Sequence, residues 1–487
     1  MNKKIISILS IIEILLIMSS NIISYANSVE DEEVAYFGNP HLKQLLVDEY
    51  DKNKDGELSL TEMKEIKELS FGSSQYITDF TGLEYATNLE YFSYVHKSYS
   101  YTDTTYPTIN INSLTKLHNL KTLYLEHAEI SNIEDLYNIT SLTNLKLSRM
   151  EKNKITMKGL SNLENLVKLY IFFTDNTIND TGDTDSFINF KKIEEIELLN
   201  VTNNINGVAC LQNLKRLTAV GKNITDISSV SNLTNLQYLD LRSNKIENIS
   251  PIENLTNLEN LDLGTNNISD LRPLKNLTNL QILDLWNNKI TDISDLSNLT
   301  NLESLDLGCN KIENIEQIEN LQNTCEINAN GQEISLEIGY IPKGIESEYD
   351  LPLIVSQIFN NKEVFKKIYK MKLKNGGNSY VNEDKTKIML DSSSSGYKEI
   401  TLNIVDTSGT SILRLYISYD VMHDKGDING DDKINIKDWN RLYKYINGTM
   451  EFTEEQLACA DINNDGKVNI KDWNRLYKYL NGTSKLE

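Results

Sequence analysis

The chain has 487 residues, 39% of them hydrophobic, so it is long enough for about three or four domains with packed cores. Its formal net charge of −22 excludes an ordinary nucleic-acid binder and fits a soluble, secreted protein that binds cations. The four cysteines are scattered without a CxxC pair, which excludes a disulfide framework or a zinc site and favours buried or free thiols.

Residues 1–26 have the three parts of a secretory signal peptide. Two lysines stand near the start, an apolar run covers 5–18, and small residues at 24–26 provide a cleavage site. The alternative is an uncleaved membrane anchor. Glu13 counts against it, because a carboxylate in the middle of a bilayer costs about 3 kcal/mol. The pattern therefore predicts secretion.

Residues 51–62 read DKNKDGELSLTE and have the spacing of an EF-hand calcium loop. Oxygen-bearing side chains fall at positions 1, 3, 5, 9 and 12, and Gly56 stands at position 6, where the chain turns sharply. The flanking stretches LKQLLVDEY and LTEMKEIKEL both have the pattern of amphipathic helices. An ordinary solvated acidic loop is the alternative. We expect an EF-hand-like cap over 27–70. The predicted Ca²⁺ ligands are Asp51, Asn53, Asp55, Ser59, Glu62 and the carbonyl of Glu57.

A repeat of 22 residues dominates residues 71–334 and is clearest where Asn235, Asn257, Asn279 and Asn301 recur. Each unit reads L-x-x-L-x-L-x-x-N-x-I, which is typical of a leucine-rich-repeat solenoid with one short parallel strand per unit. A single unit cannot bury its leucines, so stacked units must share one core. A second asparagine series is expected to bond to the backbone at each turn. It comprises Asn244, Asn266, Asn288 and Asn310.

Residues between the leucines of each strand are expected to face the concave side of the solenoid. Five aromatic residues there are candidate anchors for a protein or glycan target, although some of them could only cover neighbouring strands. They are Tyr124, Tyr170, Phe172, Tyr238 and Trp286. An aspartate column also lines this face. We do not expect it to be catalytic, because nothing in the sequence separates the pKa values of its members.

Residues 335–423 lose the repeat. Alternating runs such as KEITLNIVD and LRLYISYDV predict strands, and NGG and SSSSG predict turns. We expect a small Ig-like β-sandwich that covers the open end of the solenoid. His423 is a lone histidine in the linker that follows.

Two further acidic loops, DINGDDKINIKD at 427–438 and DINNDGKVNIKD at 461–472, have Asp, Asn, Asp, Asn and Asp at positions 1, 3, 5, 9 and 12. This spacing again predicts calcium sites. A helix follows each loop, but neither has an obvious helix before it. Asp432 replaces the glycine expected at position 6, so the first site is predicted to be intact but weaker. The side-chain ligands are Asp427, Asn429, Asp431, Asn435 and Asp438, and then Asp461, Asn463, Asp465, Asn469 and Asp472.

These duplicated loop-and-helix units resemble a type I dockerin over residues 424–487. The resemblance implies a calcium-folded, all-α module that binds a cohesin domain, with the carbonyls of Lys433 and Lys467 as further ligands. It also implies a cohesin-facing surface. That surface comprises Ile436, Lys437, Tyr443 and Lys444, together with Ile470, Lys471, Tyr477 and Lys478. Positions 10 and 11 of each loop depart from the small hydroxyl pair of the best-known dockerins, which leaves the cohesin type open.

The first module helix is predicted to direct Trp439, Leu442 and Ile446 to the core. A basic stripe of Lys437, Arg441 and Lys444 recurs in the second copy and is interpreted as a docking surface, an ordinary solvated face being the alternative. The 22-residue unit and its helical cap resemble the internalin-like subfamily, whose members bind host proteins.

The sequence therefore predicts a mixed α+β fold with a solenoid, an EF-hand-like cap, an Ig-like β-sandwich and a dockerin-like module. The expected function is calcium-dependent, non-catalytic recognition outside the cell. The dockerin-like tail would attach the chain to a cohesin-bearing scaffold of the kind used in polysaccharide degradation. One alternative is a subunit of a polysaccharide hydrolase complex with glycosidase activity. Another is a host-directed adhesin. Neither a nucleic-acid partner nor a membrane partner after signal cleavage is expected.

Overall fold

The computed structural model describes residues 33–72, 77–96, 106–150, 153–173, 178, 180–181, 183–200, 202–221, 223–321, 325–341, 343–345, 347–352, 354–355, 369–406 and 411–486. The predicted signal peptide at 1–26 lies outside these residues. The chain divides into two compact units, Met1–Asp240 and Leu241–Glu487. No helix of the described residues is long and apolar enough to cross a membrane.

The first unit contains parallel strands in the order β1-β2-β4-β6-β7-β8-β9-β10, and the short strands β3 and β5 pair separately. Their bounds are β1 Glu68–Phe71, β2 Tyr91–Val95, β3 Thr108–Ile109, β4 Thr122–Glu126, β5 Glu129–Ile130, β6 Asn144–Ser148, β7 Lys168–Phe172, β8 Glu195–Leu199, β9 Arg216–Val220 and β10 Tyr238–Asp240. Leu123, Leu145 and Leu169 stand in register on neighbouring strands and are buried. The repeated leucines therefore form one continuous core, as the sequence predicted.

Short helical turns carry the chain back from each strand to the next. In the first unit these are the α-helices α3 Ile133–Tyr137 and α4 Met157–Leu160 and the 3-10 turns Leu83–Tyr85, Asn112–Lys116, Thr184–Ser186, Asn206–Cys210 and Ser228–Val230. Their buried apolar residues, such as Leu114 and Val208, complete the core from the side opposite the sheet.

The N-terminal segment differs from the prediction at one end of its acidic loop. Helix α1 (Pro40–Tyr50) precedes the loop as expected, with Asn39 as its N-cap. The helix after the loop, α2 (Leu60–Met63), has only one turn, and the chain then enters strand β1. The expectation of a longer amphipathic helix was wrong. Leu69 and Phe71 alternate with exposed residues and are buried in the parallel sheet, so tertiary pairing overrides the local helical pattern.

The second unit begins with the regular repeats, whose strands are β11 Asn260–Asp262, β12 Ile282–Asp284, β13 Ser304–Asp306 and β14 Glu326–Asn328. Their 3-10 turns are Ser250–Ile252, Arg272–Leu274, Ser294–Asn298 and Glu316–Leu321. The predicted asparagine ladder is confirmed. Buried Asn266 donates to the carbonyl oxygens of Leu241 and Leu263 at 3.1 and 3.0 Å and accepts from Ile246 N at 3.0 Å. Each rung thus satisfies backbone groups that the turn would leave unpaired.

Gln332 continues this ladder into the β-rich domain. Its amide accepts from Ile312 N and donates to Leu307 O, both at 2.9 Å, while its side chain is fully buried. The same residue begins strand β15, so the last repeat and the first strand of the next domain share a hydrogen-bonded residue.

The β-rich domain contains two sheets, in agreement with the predicted β-structure. The first has the order β15-β21-β20-β17, with β15 parallel to β21 and the other pairs antiparallel; the second has the order β16-β19-β18. The bounds are β15 Gln332–Ile341, β16 Ser347–Asp350, β17 Tyr369–Lys374, β18 Tyr380–Val381, β19 Lys387–Leu390, β20 Gly396–Asp406 and β21 Ser411–Val421.

Three helices form the C-terminal module: α5 Ile436–Ile446, α6 Glu454–Ala460 and α7 Ile470–Leu480. Leu442 and Leu476 lie at the centre of its small core, with Ile428 and Ile462 from the two loops. Helix α6 precedes the second loop, so the expectation that this loop lacked a preceding helix was wrong. Its sequence signal was a capping box, in which Thr453 and Gln456 satisfy each other's backbone N–H groups.

Candidate calcium loops and docking surface

The three acidic loops have left-handed backbone conformations at positions 4 and 6. The residues are Lys54 and Gly56 in the first loop, Gly430 and Asp432 in the second, and Asn464 and Gly466 in the third. The EF-hand pattern identifies position 6 but not position 4, where only the glycine and the asparagine are residues that favour this conformation. The recurrence means that the three loops turn in the same way at the same places.

The carboxylate at position 12 holds each module loop closed. One oxygen of Asp438 accepts the N–H groups of Ile428 and Asn429 at 2.9 Å, and the other accepts Asn435 N at 2.9 Å. Asp472 makes the equivalent bonds to Ile462, Asn463 and Asn469. Both carboxylates are fully buried. A carboxylate oxygen has two acceptor directions, and Oδ2 of each group accepts only one of these bonds, so the bonds orient the group and leave Oδ2 able to bind a cation.

The carboxylate at position 1 provides a test of whether the first module loop fits calcium. Asp427 is 2% exposed, and its Oδ1 accepts N–H groups from Gly430 and Asp431. Its Oδ2 is buried without a hydrogen bond, with His423 Nδ1 at 3.3 Å. A buried, unbonded carboxylate oxygen is unfavourable unless a cation compensates it. The oxygen-rich loop around it matches the ligands that Ca²⁺ prefers.

The N-terminal loop has a similar arrangement. Asp51 accepts from Lys54 N at 2.6 Å and from Gly56 N at 2.9 Å, and buried Glu62 accepts from Lys52 N and Ser59 N. Burial by itself raises the pKa of Glu62, but the hydrogen bonds from Ser59 and Lys52 outweigh it, so the pKa lies below its ordinary value. Glu62 is therefore ionised at neutral pH, as a Ca²⁺ ligand must be.

The predicted cohesin-facing residues lie at the surface of helices α5 and α7. Ile436 is 57% exposed, and Tyr443, Ile470 and Tyr477 are each 51% exposed. The four lysines of the set, Lys437, Lys444, Lys471 and Lys478, are exposed as well. The two copies thus present the same apolar, aromatic and basic groups to solvent.

Two tryptophans join these surfaces. Trp439 and Trp473 stack with ring centroids 4.4 Å apart. The ring centroids of Trp439 and Tyr477 lie 5.9 Å apart, with an angle of 40° between the ring planes. The corresponding values for Trp473 and Tyr443 are 5.9 Å and 41°. These matched distances are what an approximate twofold axis between the helices produces. The sequence placed Trp439 in the core; it does pack there, but it also supports the exposed tyrosines.

The linker before the module was not recognised as a contact site. Asp432 Oδ1 lies 2.9 Å from Ser395 Oγ, 3.4 Å from Lys343 Nζ and 3.3 Å from His423 Nδ1. The Ser395 hydrogen bond, followed by the nearby Lys343, lowers the pKa of Asp432. Lys425 Nζ donates to the carbonyl oxygens of Ala458 and Asp461 at 2.7 and 2.6 Å. The contacts of Asp432 therefore join the β-rich domain to the module, whereas Lys425 joins the start of the module to its second half.

On the concave side of the first unit, cations lie over the predicted aromatic anchors. Lys146 Nζ is 4.6 Å from the ring centroids of both Tyr124 and Tyr170, and the Arg216 guanidinium is 3.8 Å from Tyr238. These tyrosines and Phe172 are half-buried, and their role as anchors stays a prediction. Cation–π contacts of this kind cover ring faces that would otherwise meet solvent.

In the second unit lies Trp286, the fifth predicted anchor, which is 42% exposed. Asp284 beside it accepts Trp286 N at 2.8 Å, and Asp306 accepts Gly308 N at the same distance. The aspartate column thus closes the turns that follow the strands. Burial, with smaller contributions from Asp262 and Asp306, raises the pKa of Asp284.

Comparison with known proteins identifies two families in the chain. Residues 425–481 match the type I dockerin domain, and 212–254, 234–276 and 278–323 match leucine-rich repeats. The chain is a leucine-rich-repeat protein with a type I dockerin domain. Type I dockerins generally bind calcium, dockerins bind cohesins, and leucine-rich-repeat domains bind protein targets.

Among solved structures, an internalin from Listeria monocytogenes is 26% identical, with a TM-score of 0.51, over 61% of this chain and 84% of that chain. Internalin C2 from the same organism is 35% identical, with a TM-score of 0.34, over 41% and 87%. A leucine-rich-repeat protein from Leptospira interrogans is 20% identical, with a TM-score of 0.43, over 56% and 75%. No curated protein matches the chain.

Proposed function

We propose that this chain is a secreted, calcium-dependent and non-catalytic recognition protein. Its dockerin module attaches it to a cohesin-bearing scaffold, and its repeats bind a protein or glycan target. The observation that carries the proposal is the near-symmetric surface of α5 and α7, built directly on two oxygen-rich loops. Secretion rests on the N-terminal sequence pattern and on the extracellular setting typical of dockerin proteins.

Calcium, when bound, supplies positive charge that offsets the repulsion among the loop carboxylates. In each module loop the ligands would be the side chains at positions 1, 3, 5, 9 and 12 and the carbonyl at position 7. Asp438 and Asp472 fix the start of the following helix because their carboxylates also accept the N–H groups of Asn435 and Asn469. Loop order therefore determines where the docking side chains stand.

Two equivalent surfaces would allow a cohesin to bind in two opposite orientations. Two equal poses add only about 0.4 kcal/mol to the binding free energy, so the duplication gives freedom of orientation more than affinity. The matched Trp–Tyr distances support this interpretation, since both surfaces are built on the same stack.

The experiment is a cohesin-binding measurement on the full chain in calcium. The variant Lys437→Ala/Lys444→Ala disables one surface, Lys471→Ala/Lys478→Ala disables the other, and a four-site variant combines them. We expect each two-site variant to bind and the four-site variant to lose binding. Failure of either two-site variant would rule out the two-pose proposal, and cohesin binding that persists in chelator would rule out calcium dependence.

The target of the repeats is tested with Trp286→Ala. If the concave surface binds the target, this change should weaken binding about tenfold or more, because exposed tryptophans often dominate interfaces. Cohesin binding by the same variant is the control for folding. Hydrolysis of a polysaccharide by the purified chain would contradict the non-catalytic assignment.

A further inference from the structure

The first sheet of the β-rich domain has one face packed on the core and one face open to solvent. Along β21, Leu413, Leu415 and Ile417 are buried, while Tyr416 between them is exposed. Along β20, Tyr397 and Glu399 are exposed before the buried Ile400. This alternation is ordinary for a half-buried sheet. The unusual property of the open face is its exposed tyrosines.

Among the side chains described on this sheet, three tyrosines are exposed: Tyr397 at 64%, Tyr340 at 47% and Tyr416 at 41%. A register shift between Glu337 and Gly339 brings Tyr340 opposite Asp420, which also pairs with Tyr397. Aromatic rings of this size are normally placed where they can be covered. Their concentration on one face indicates a ligand surface.

Short polar side chains form a groove between two of these rings. Ser335, Tyr416 and Thr401 stand opposite one another on three neighbouring strands, and the adjoining row consists of Glu337, Ser418 and Glu399. The groove has a volume of about 430 Å³ and lies between Tyr397 and Tyr416. This volume falls within the ~300–1,000 Å³ typical of small-ligand sites.

Both rings are held in place before any ligand binds. Tyr397 Oη donates to Glu399 Oε1 at 2.9 Å, and Tyr416 Oη accepts from Arg414 Nη1 at 3.3 Å. Arg414 is in turn paired with Glu333 at 2.6 Å. Anchored rings lose little conformational entropy when a ligand covers them, which favours binding.

The charge of the groove restricts the class of ligand. Its lining includes Glu337 and Glu399, and none of the described lining residues is a lysine or arginine. These two carboxylates disfavour an anionic ligand such as a polyuronate or a nucleic acid, and the nearest described lysine in the strand register, Lys374, stands opposite Thr401 outside the lining. Carboxylates and hydroxyls together provide many acceptors and donors for a ligand rich in hydroxyl groups. A pyranose ring also offers an apolar C–H face that can lie on a tyrosine.

We propose that this groove binds a sugar residue of a neutral glycan. The rings of Tyr397 and Tyr416 contact the apolar faces of the sugar, while Glu337 and Glu399 accept hydrogen bonds from its hydroxyls. Ser335, Thr401 and Ser418 leave room at the floor because their side chains are short. The β-rich domain is thus a second binding element, separate from the repeats and from the dockerin surface.

The experiment is affinity electrophoresis of the full chain in calcium, through gels that contain neutral hexose or pentose polysaccharides or a polyuronate. We expect retention by at least one neutral polysaccharide and none by the polyuronate. Tyr397→Ala and Tyr416→Ala should each weaken retention about tenfold. Tyr380→Ala is the matched control, since Tyr380 is 53% exposed on the other sheet of the same domain.

A second control separates this site from the repeats. Trp286→Ala should leave retention unchanged if the groove is the glycan site. Loss of retention with Trp286→Ala but not with the tyrosine variants would overturn the proposal, as would absence of retention on every neutral glycan. Preferential binding of a basic peptide at the groove would overturn it as well. Cohesin binding in the same preparations shows whether the proposed docking function holds regardless of this outcome.

Discussion

The two loops of the dockerin module have nearly the same sequence, yet their surroundings differ. Both loops share an identical segment of eleven residues, which starts at loop position 9 and runs into the following helix. The two copies are Asn435–Tyr445 and Asn469–Tyr479. The first loop contacts the β-rich domain because Asp432 lies beside Ser395 and Lys343. No hydrogen bond or ion pair among the described residues joins the second loop to that domain. Duplication in sequence therefore does not give equivalence in the folded chain.

This difference changes the interpretation of Asp432. From sequence, it was a tolerated replacement for glycine at a left-handed position, and its φ of 55° confirms that conformation. In the structure its carboxylate also has three partners from outside the loop. The corresponding Gly466, with φ of 77°, has no side chain to make such contacts. In the first loop, aspartate is less suited than glycine to the left-handed conformation at position 6, but its side chain contacts the β-rich domain.

Calcium removal should give the largest difference between the two module loops. In chelator, the uncompensated carboxylates of both loops repel, and we expect the helices of the module to lose most of their order. Residues 427–438 should keep more amide protection than 461–472, since the β-rich domain still holds Asp432. Hydrogen exchange of the full chain with and without chelator measures this difference. Equal loss of protection in the two loops would show that the contacts of Asp432 with the β-rich domain do not stabilise the first loop.

Removal of one carboxylate at position 12 should have the next largest effect. Asp438→Ala and Asp472→Ala each leave three buried or part-buried backbone N–H groups without their acceptor, so each should destabilise the module by about 3 kcal/mol. We expect the larger loss for Asp472→Ala, because the second loop has no support from the β-rich domain. Chemical denaturation in calcium, followed by tryptophan fluorescence, measures both variants. A larger loss for Asp438→Ala would reverse the comparison.

Substitutions at position 6 of the two loops test the contacts of Asp432 with the β-rich domain directly. Asp432→Gly removes the contacts with Ser395, Lys343 and His423 and should lower the melting temperature, although glycine suits the backbone there. Gly466→Asp places a side chain at a left-handed position with nothing to hold it, and should also destabilise by about 1 kcal/mol. The two loops should then exchange amide protons at similar rates in Asp432→Gly. Thermal melts and hydrogen exchange provide the measurements.

The smallest expected effect concerns Lys343. Its Nζ lies 3.0 Å from Asp424 and 3.4 Å from Asp432, and both carboxylates are largely exposed. Ion pairs of this type contribute only about 0.5 kcal/mol and weaken in salt. Lys343→Met should therefore lower stability slightly at low ionic strength and hardly at all at high ionic strength. A double-mutant cycle with Asp432→Asn isolates the pair, and zero coupling at low salt would show that Ser395 and His423 hold Asp432 without help from Lys343.

The local patterns were the most predictable part of the molecule. The 22-residue period predicts the solenoid, because every unit contains the same strand pattern and stacks on the next unit. The asparagine ladder followed from the same period. The helices after the two module loops followed from their amphipathic pattern. The predicted ligands of each loop lie within twelve residues of chain, so their arrangement depends little on the rest of the fold.

Predictions failed where a distant partner changed the environment of a residue. The stretch after Glu62 has a helical pattern, but Leu69 and Phe71 pair with β2 and become a strand. The sequence also did not show that Lys146, from the strand between Tyr124 and Tyr170, lies over both of their rings. Helix α6 was missed for a different reason, since it has only seven residues and a weak apolar pattern.

The sequence by itself determined the repeat fold, the three acidic loops and the duplicated exposed face of α5 and α7, because each is encoded by residues close together in the chain. Only the tertiary structure decided how those parts are used. Lys343 stands 89 residues before Asp432, and the groove on the β-rich domain needs β15, β20 and β21 in a particular register. Contacts of that kind depend on strand order and burial, which no local spacing specifies. They are the reason that two almost identical loops have different partners in one folded chain.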